Sequence, residues 1–211
     1  MSHQIKCKRS IKSSDMLLRP IKQENNHFIT EIWEFDGNKT LIELPVQKVI
    51  DWSCRFYGDS YINRKNQTKY ISGIANKSPI LLTPIFSLYF FPTHSDRVPE
   101  NCWINPFYVD KIKPLKGTRC KIIFVNDQSI ILNVSYHSLK HQMLNCAYLH
   151  FLMHRELAIK TGNPEKPIDY EKSNFKIFET LAQYALIERA KNAKLDKEYE
   201  KNYLSSNKMF F

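Results

Sequence analysis

Two short stretches of this 211-residue chain concentrate the side chains that could do chemistry. In the first, Arg55 precedes the run Arg64-Lys65-Asn66-Gln67-Thr68-Lys69, and Lys77 follows it. In the second, Lys111, Lys113, Lys116, Arg119 and Lys121 succeed one another with no acid between them. Clustered cations of this kind suit polyanions, either nucleic acid or an anionic membrane face. The first run is almost pure donor chemistry. Tyr61, and Tyr57 beside it, could add backbone hydrogen bonds or packing. Lysines on phosphates position a protein without specifying sequence. That is the role expected for Lys77 and the 111–121 run. Bland readings stand beside these. The 58–70 stretch could be a solvated loop, Arg55 could be a buried ion-pair partner of Asp51 four residues earlier, and the later lysines could serve only solubility.

A third constellation is Cys146, His150 and His154. Successive steps of four residues turn a helix by only about 40°, so all three share a face. A metal ion would need a fourth ligand converging on them. The alternative is a core or dimer stripe made of Leu139, Met143, Cys146, His150, Met153 and Leu157. No G-x-G-x-x-G, G-x-x-x-x-G-K-[ST], G-x-S-x-G or H-E-x-x-H motif occurs, and five glycines leave little material for a phosphate-cradling loop.

Composition agrees with a binding protein. Lys and Arg number 31 against 21 Asp and Glu, a net charge of +10, and the isoelectric point is near 9.3. Hydrophobic residues at 43% and charged residues at 25% are close to the globular norm, which excludes a wholly disordered chain. No stretch approaches the roughly 18 apolar residues of a membrane span. The first fifteen residues lack an apolar segment, so no signal peptide is visible and a cytoplasmic location is expected. The five cysteines are widely spaced and odd in number, with no C-x-x-C pair, and read as reduced, buried, small hydrophobes.

The elements that must position these residues can be read in outline. Residues 1–25 are polar, basic and without periodicity, and read as a flexible arm. Residues 28–44 read as a β-hairpin around Asp36-Gly37-Asn38. Pro45 opens a helical pattern that Gly58 closes. The segment 58–70 reads as loop or short helix. Strand-like runs follow at 79–82, 87–93 and 102–112, punctuated by proline. A clear hairpin flanks Asn126-Asp127. Ser138 is a candidate N-cap for a helix reaching about Lys160, and a second long helix is expected from about Tyr170 to Tyr203. The expected class is α+β: a β-rich, mostly antiparallel N-terminal and central part with one short helix, then two long C-terminal helices. Trp52 and Trp103 are expected in the core.

The stretches IDWSCRFYGDSYINRK (50–65), ISGIANKSPILLTP (71–84), LYFFPTHS (88–95) and CWINPFYVDKIK (102–113) resemble ComK, the competence transcription factor family of low-G+C Gram-positive bacteria. Weaker similarity continues through the 118–135 hairpin to residue 142. The Lys-, Asn- and Ile-rich composition suggests the staphylococcal branch. The resemblance divides the chain into an arm (1–25), a ComK-like DNA-binding domain (26–160) and a C-terminal helix and tail (161–211). It implies a cytoplasmic, nucleoid-associated activator of DNA-uptake genes, without catalysis or cofactor. Such a protein would bind A/T-rich boxes on double-stranded DNA largely through the minor groove. It would act as homodimers paired on DNA into tetramers, meet RNA polymerase, and be held down by the adaptor MecA with a Clp protease. The residues expected at the DNA are Arg55, Tyr61, Arg64, Lys65, Asn66, Lys69, Lys77, Lys111, Lys113, Lys116, Arg119 and Lys121. Two rival functions use other features. A single-stranded nucleic-acid or RNA binder would stack bases on Tyr57, Tyr61 and Tyr70, and a metal-dependent enzyme would use the Cys146/His150/His154 face.

Overall fold

A computed structural model describes residues 5–6, 8–24, 26–84 and 87–160. Its centre is a seven-stranded sheet with order β1-β4-β3-β2-β7-β6-β5. The strands are β1 (Ile5–Lys6), β2 (Asp15–Lys22), β3 (Phe28–Glu34), β4 (Lys39–Ile42), β5 (Ile80–Thr83), β6 (Leu88–Pro92) and β7 (Trp103–Ile104). All neighbours are antiparallel except β1, which lies parallel to β4. A second sheet of order β10-β9-β8 is built from β8 (Val109–Pro114), β9 (Cys120–Phe124) and β10 (Ser129–Leu132). Helices α1 (Val46–Phe56) and α2 (Tyr61–Ser72) precede β5, and α3 (Tyr136–Lys160) follows β10.

The large sheet is covered on both faces. On one side Leu18, Ile32, Leu82, Phe90 and Trp103 pack with Val46, Val49, Ile50 and Cys54 of α1. On the other Leu17, Trp33, Leu81, Tyr89, Phe91 and Ile104 pack with Ile122 and Phe124 of the small sheet and with Leu139, Met143, Cys146 and Leu149 of α3. Consecutive residues such as Leu17 and Leu18, or Phe90 and Phe91, thus enter opposite cores. Burial on both faces explains why ILLT and LYFFP read as unbroken apolar runs instead of alternating ones. Each fully buried large side chain contributes on the order of 1.5–3 kcal/mol.

Three expectations need correction. Two helices, not one, lie between β4 and β5, because 61–72 is helical. Its N-cap is Ser60, whose hydroxyl accepts from the Asn63 N–H at 3.2 Å, and Gly73 closes it in the left-handed region at φ 71. Only Thr68 and Ser72 are buried along it, so it shows no apolar stripe for a sequence to reveal. Second, α3 is the one long helix among the described residues. The helix expected over 170–203 lies outside them; the described residues form three helices on a mostly antiparallel sheet, with α3 as their single long C-terminal helix where two were expected. The cap of α3 is also earlier than expected, since Ser135 Oγ accepts from the Ser138 N–H at 3.2 Å.

Third, much of the expected arm is integral to the fold. Ile11 is fully buried against α1. Its N–H donates to Ser53 Oγ at 3.0 Å, and its carbonyl accepts from the Tyr57 hydroxyl at 2.7 Å. Strand β2 runs through the middle of the sheet. Pro20 is tolerated because it lies past Leu17 and Leu18, the two residues that β7 pairs.

The histidines of α3 give the fold a pH dependence. Burial, aided by the nearby His154, pushes the His150 imidazole down to about 3. The ring stands 5.0 Å from that of Tyr89 and 4.1 Å from that of His154. A base with a depressed folded pKa binds its proton first in the unfolded chain. Its stabilisation is therefore complete above about pH 6.5 and falls away down to about pH 3. Acidification from pH 6.5 to 5 is expected to remove about 2 kcal/mol of stability through this residue. Urea midpoints at the two pH values, compared between the native chain and His150→Gln, check this: the variant should show a smaller drop.

Candidate nucleic-acid interface

Strands β8 and β9 form a hairpin whose alternation sorts its side chains. Ile112 and Ile122 pair in register and face the core, as does Cys120, which pairs with the exposed Pro114 at the end of the ladder. The residues between them are turned outward. Lys113 lies directly opposite Lys121, and Ile131 of β10 lies beyond Lys121 in the same row. Lys111 lies opposite Ile123 in the next row. The tip adds Lys116 and Arg119, both exposed. Thus Lys111, Lys113, Lys116, Arg119 and Lys121 converge on one face and one turn of a single hairpin. Among the described residues, the ion pair on this surface joins Lys111 to its neighbour Asp110 at 3.1 Å, in solvent, where such pairs contribute little. Like charges directly across a strand pair repel and destabilise. The Lys113–Lys121 pairing is therefore a standing cost that an anion on this face would relieve.

The cations of α1 and α2 are placed differently. Arg55 forms the pair weighed for it, with Asp51 at 3.1 Å, and that pair is exposed rather than buried. Arg64 is turned inward, its side chain 12% exposed. Its guanidinium donates to the Tyr57 carbonyl at 3.1 Å and lies 3.8 Å from Asp59. Lys65 donates to Asp96 at 2.6 Å, and the Tyr61 hydroxyl donates to the same carboxylate at 2.9 Å. Burial opposes the charge on Asp96, but these two donors outweigh it and hold the carboxyl below its ordinary value. Burial, then the bond to Asp96, drives the Tyr61 phenol up. Tyr61 also meets Trp103 edge-on at 6.1 Å. Arg64, Lys65 and Tyr61 thus tie α2 to its surroundings. The outward face of α2 is left to Ile62, Asn63, Asn66, Lys69 and Tyr70.

Lys77 is half-buried at a left-handed φ of 46 and donates to Ser138 Oγ, 3.4 Å away at the start of α3. Its charge, after burial, lowers the pKa of His94. Of the three tyrosines considered for base stacking, only Tyr70 stands free, at 91% exposed. Tyr57 and Tyr61 spend their hydroxyls on Ile11 and Asp96. Trp103 is core, whereas Trp52 is exposed with the Lys8 ammonium 4.8 Å from its ring centre. The Cys146 face points into the core, where burial raises the thiol pKa. Among the described residues no group of three or more His, Cys, Asp or Glu could hold a metal ion.

Sequence spacing found the hairpin cations but not the surface they make, since strand register is what turns them to one side. It also missed Asp96, which neutralises Lys65 from 31 residues away.

A doubly covered, mostly antiparallel sheet whose outer layer displays a cationic hairpin defines the class: an α+β protein presenting a basic surface. The family model described as ComK protein matches residues 7–158, and the chain belongs to that family. The competence transcription factor of Bacillus subtilis (strain 168) is 34% identical to it over 105 residues. That match covers 50% of this chain and 54% of the relative, so the chain spans about half the length of the curated relative it matches. No solved structure matches the chain.

Proposed function

We propose that this protein is a transcriptional activator of competence genes that binds double-stranded DNA at A/T-rich boxes, largely through the minor groove. Family membership and the likeness to the competence transcription factor of Bacillus subtilis support the activator role. The observation that carries the DNA reading is the hairpin face holding Lys111, Lys113, Lys116, Arg119 and Lys121, with no carboxylate in that span. Lys69, Asn66 and Tyr70 on the open face of α2 supply further donors. The family resemblance extends the reading to homodimers paired on DNA as tetramers, contact with RNA polymerase, and removal through MecA and a Clp protease. Neither cofactor nor catalysis enters it. One constraint on assembly comes from α3. The stripe from Leu139 to Leu149 is already used in the core, so a dimer contact draws on other surfaces.

Titration of the full chain onto an A/T-box duplex at several salt concentrations tests the reading. Each neutralised phosphate contributes a slope of about −0.9 in log K against log salt, and several contacts per protomer are expected. A flat response between about 50 and 200 mM salt contradicts it.

A further inference from the structure

We propose that Arg119, at the tip of the β8–β9 hairpin, is the side chain that enters the A/T-rich minor groove, while the lysines of the same hairpin hold the flanking phosphates. This rests on the duplex DNA reading above and assigns the sequence-discriminating residue within it.

Seven arginines fall among the described residues, and four are engaged within the fold. Arg9 pairs with Asp15 and Glu34, Arg19 with Glu31, Arg55 with Asp51, and Arg64 with Asp59 and the Tyr57 carbonyl. Arg97 sits in the loop that also carries Asp96 and Glu100, and Arg155 is followed by Glu156 on α3. Arg119 differs from all of these. It is exposed, and every charged residue from Lys111 to Lys121 is a cation.

The hairpin is shaped to present it. The ladder ends at Pro114 and Cys120, so Arg119 is the first residue beyond the paired strands. The Leu115 N–H donates to the Arg119 carbonyl at 3.0 Å and closes the turn. Gly117 makes that turn at φ 73, and a Cβ placed there would meet nothing within 4 Å, so the tip projects into open space. Cys120 and Ile122, both fully buried, anchor the base. A minor groove about 6 Å wide is too narrow for a helix or a two-stranded ribbon, but it admits one extended side chain. Lys116 shares the tip. A guanidinium is less strongly hydrated than an ammonium and carries a planar fork of donors, so Arg119 loses less on entering the groove.

The test titrates four full-length chains, the native one and Arg119→Ala, Arg119→Lys and Lys116→Ala. Each is measured at one fixed salt against a duplex carrying A-tracts and a twin with those pairs changed to G·C. Arg119→Ala is expected to lose about 5- to 100-fold on the A-tract duplex and distinctly less on the twin, so that discrimination collapses. Arg119→Lys should keep its affinity for the twin without regaining the A-tract preference. Lys116→Ala should weaken both duplexes by one common factor. If the native chain discriminates and Arg119→Ala still does, or loses equally on both, the role given to Arg119 is overturned while the DNA reading stands. If the native chain binds neither duplex, or both alike, the A/T reading fails and this assignment fails with it.

Discussion

Changing Lys113, Lys116 and Lys121 together to alanine is expected to lower affinity for any duplex by about 500-fold at about 0.1 M salt. The figure follows from three phosphate contacts at about 0.9 logarithmic units each, measured against a 1 M reference. The salt slope should flatten by about 2.7 units in the same experiment. Lys113 and Lys121 lie on the outward side of the hairpin and Lys116 at its exposed tip, and the core-facing neighbours Ile112, Cys120 and Ile122 are untouched. Removing Lys113 and Lys121 also ends a direct cross-strand repulsion. Thermal stability should therefore hold or rise slightly while binding collapses. Opposite movement of two readouts is hard to obtain from general damage. A triple variant that binds within a few-fold of the native chain contradicts the placement of the interface.

The largest effect on stability is expected at Asp15. Its side chain is 0% exposed and accepts two bonds from Arg9, at 2.8 and 2.9 Å, and a third from the Lys12 N–H at 2.8 Å. Burial nonetheless drives its carboxyl above the ordinary value, despite Arg9. The carboxylate is thus held in a site that charge leaves reluctantly supported. Asp15→Ala strands a guanidinium whose own side chain is 8% exposed and which keeps only Glu34 and the Ser10 carbonyl, each at 3.2 Å, among its described partners. Breaking a buried pair from one side costs about 3–5 kcal/mol, a large part of a typical domain's stability. Replacing both partners, as Arg9→Met with Asp15→Leu, is expected to recover most of that loss, because no charge is left unpaired. Urea denaturation of the three chains gives the comparison. A single variant as stable as the native chain would show that residues 8–15 are not fastened as described.

That second prediction marks where the sequence was hardest to read. Residues 8–22 carry a spread of Lys, Arg and Ser that resembles a solvated tail, yet they supply a central strand and a strap across α1. Their stabilising partners, Ser53, Tyr57 and Glu34, are distant in sequence, and two-sided burial of Met16-Leu17-Leu18 erases the alternation that marks a half-buried strand. Helix α2 hid for the opposite reason, being polar on nearly every side. Where local chemistry is decisive, the reading was direct. Asp36-Gly37-Asn38 turns the β3–β4 hairpin, Asn126-Asp127 turns β9 into β10, and the spacing of Val46, Val49, Ile50, Ser53 and Cys54 gives α1 its buried face. The candidate site shows the same division. The charges of the 111–121 run are visible in the chain, and strand register then gathers them. Arg64 and Lys65 look just as available in sequence, but Tyr57, Asp59 and Asp96 claim them in space.

The central claim is that the hairpin face is the main contact with duplex DNA, and that Arg55 and Arg64 of α1 and α2 are not. Amide chemical-shift mapping of the full-length chain during titration with an A/T-box duplex tests it most directly. The account predicts that the strongest perturbations fall on residues 111–121, with weaker ones on the exposed face of α2 near Asn66 and Tyr70. Perturbations centred on Arg55 and Arg64, with the 111–121 hairpin unchanged at saturation, would contradict it.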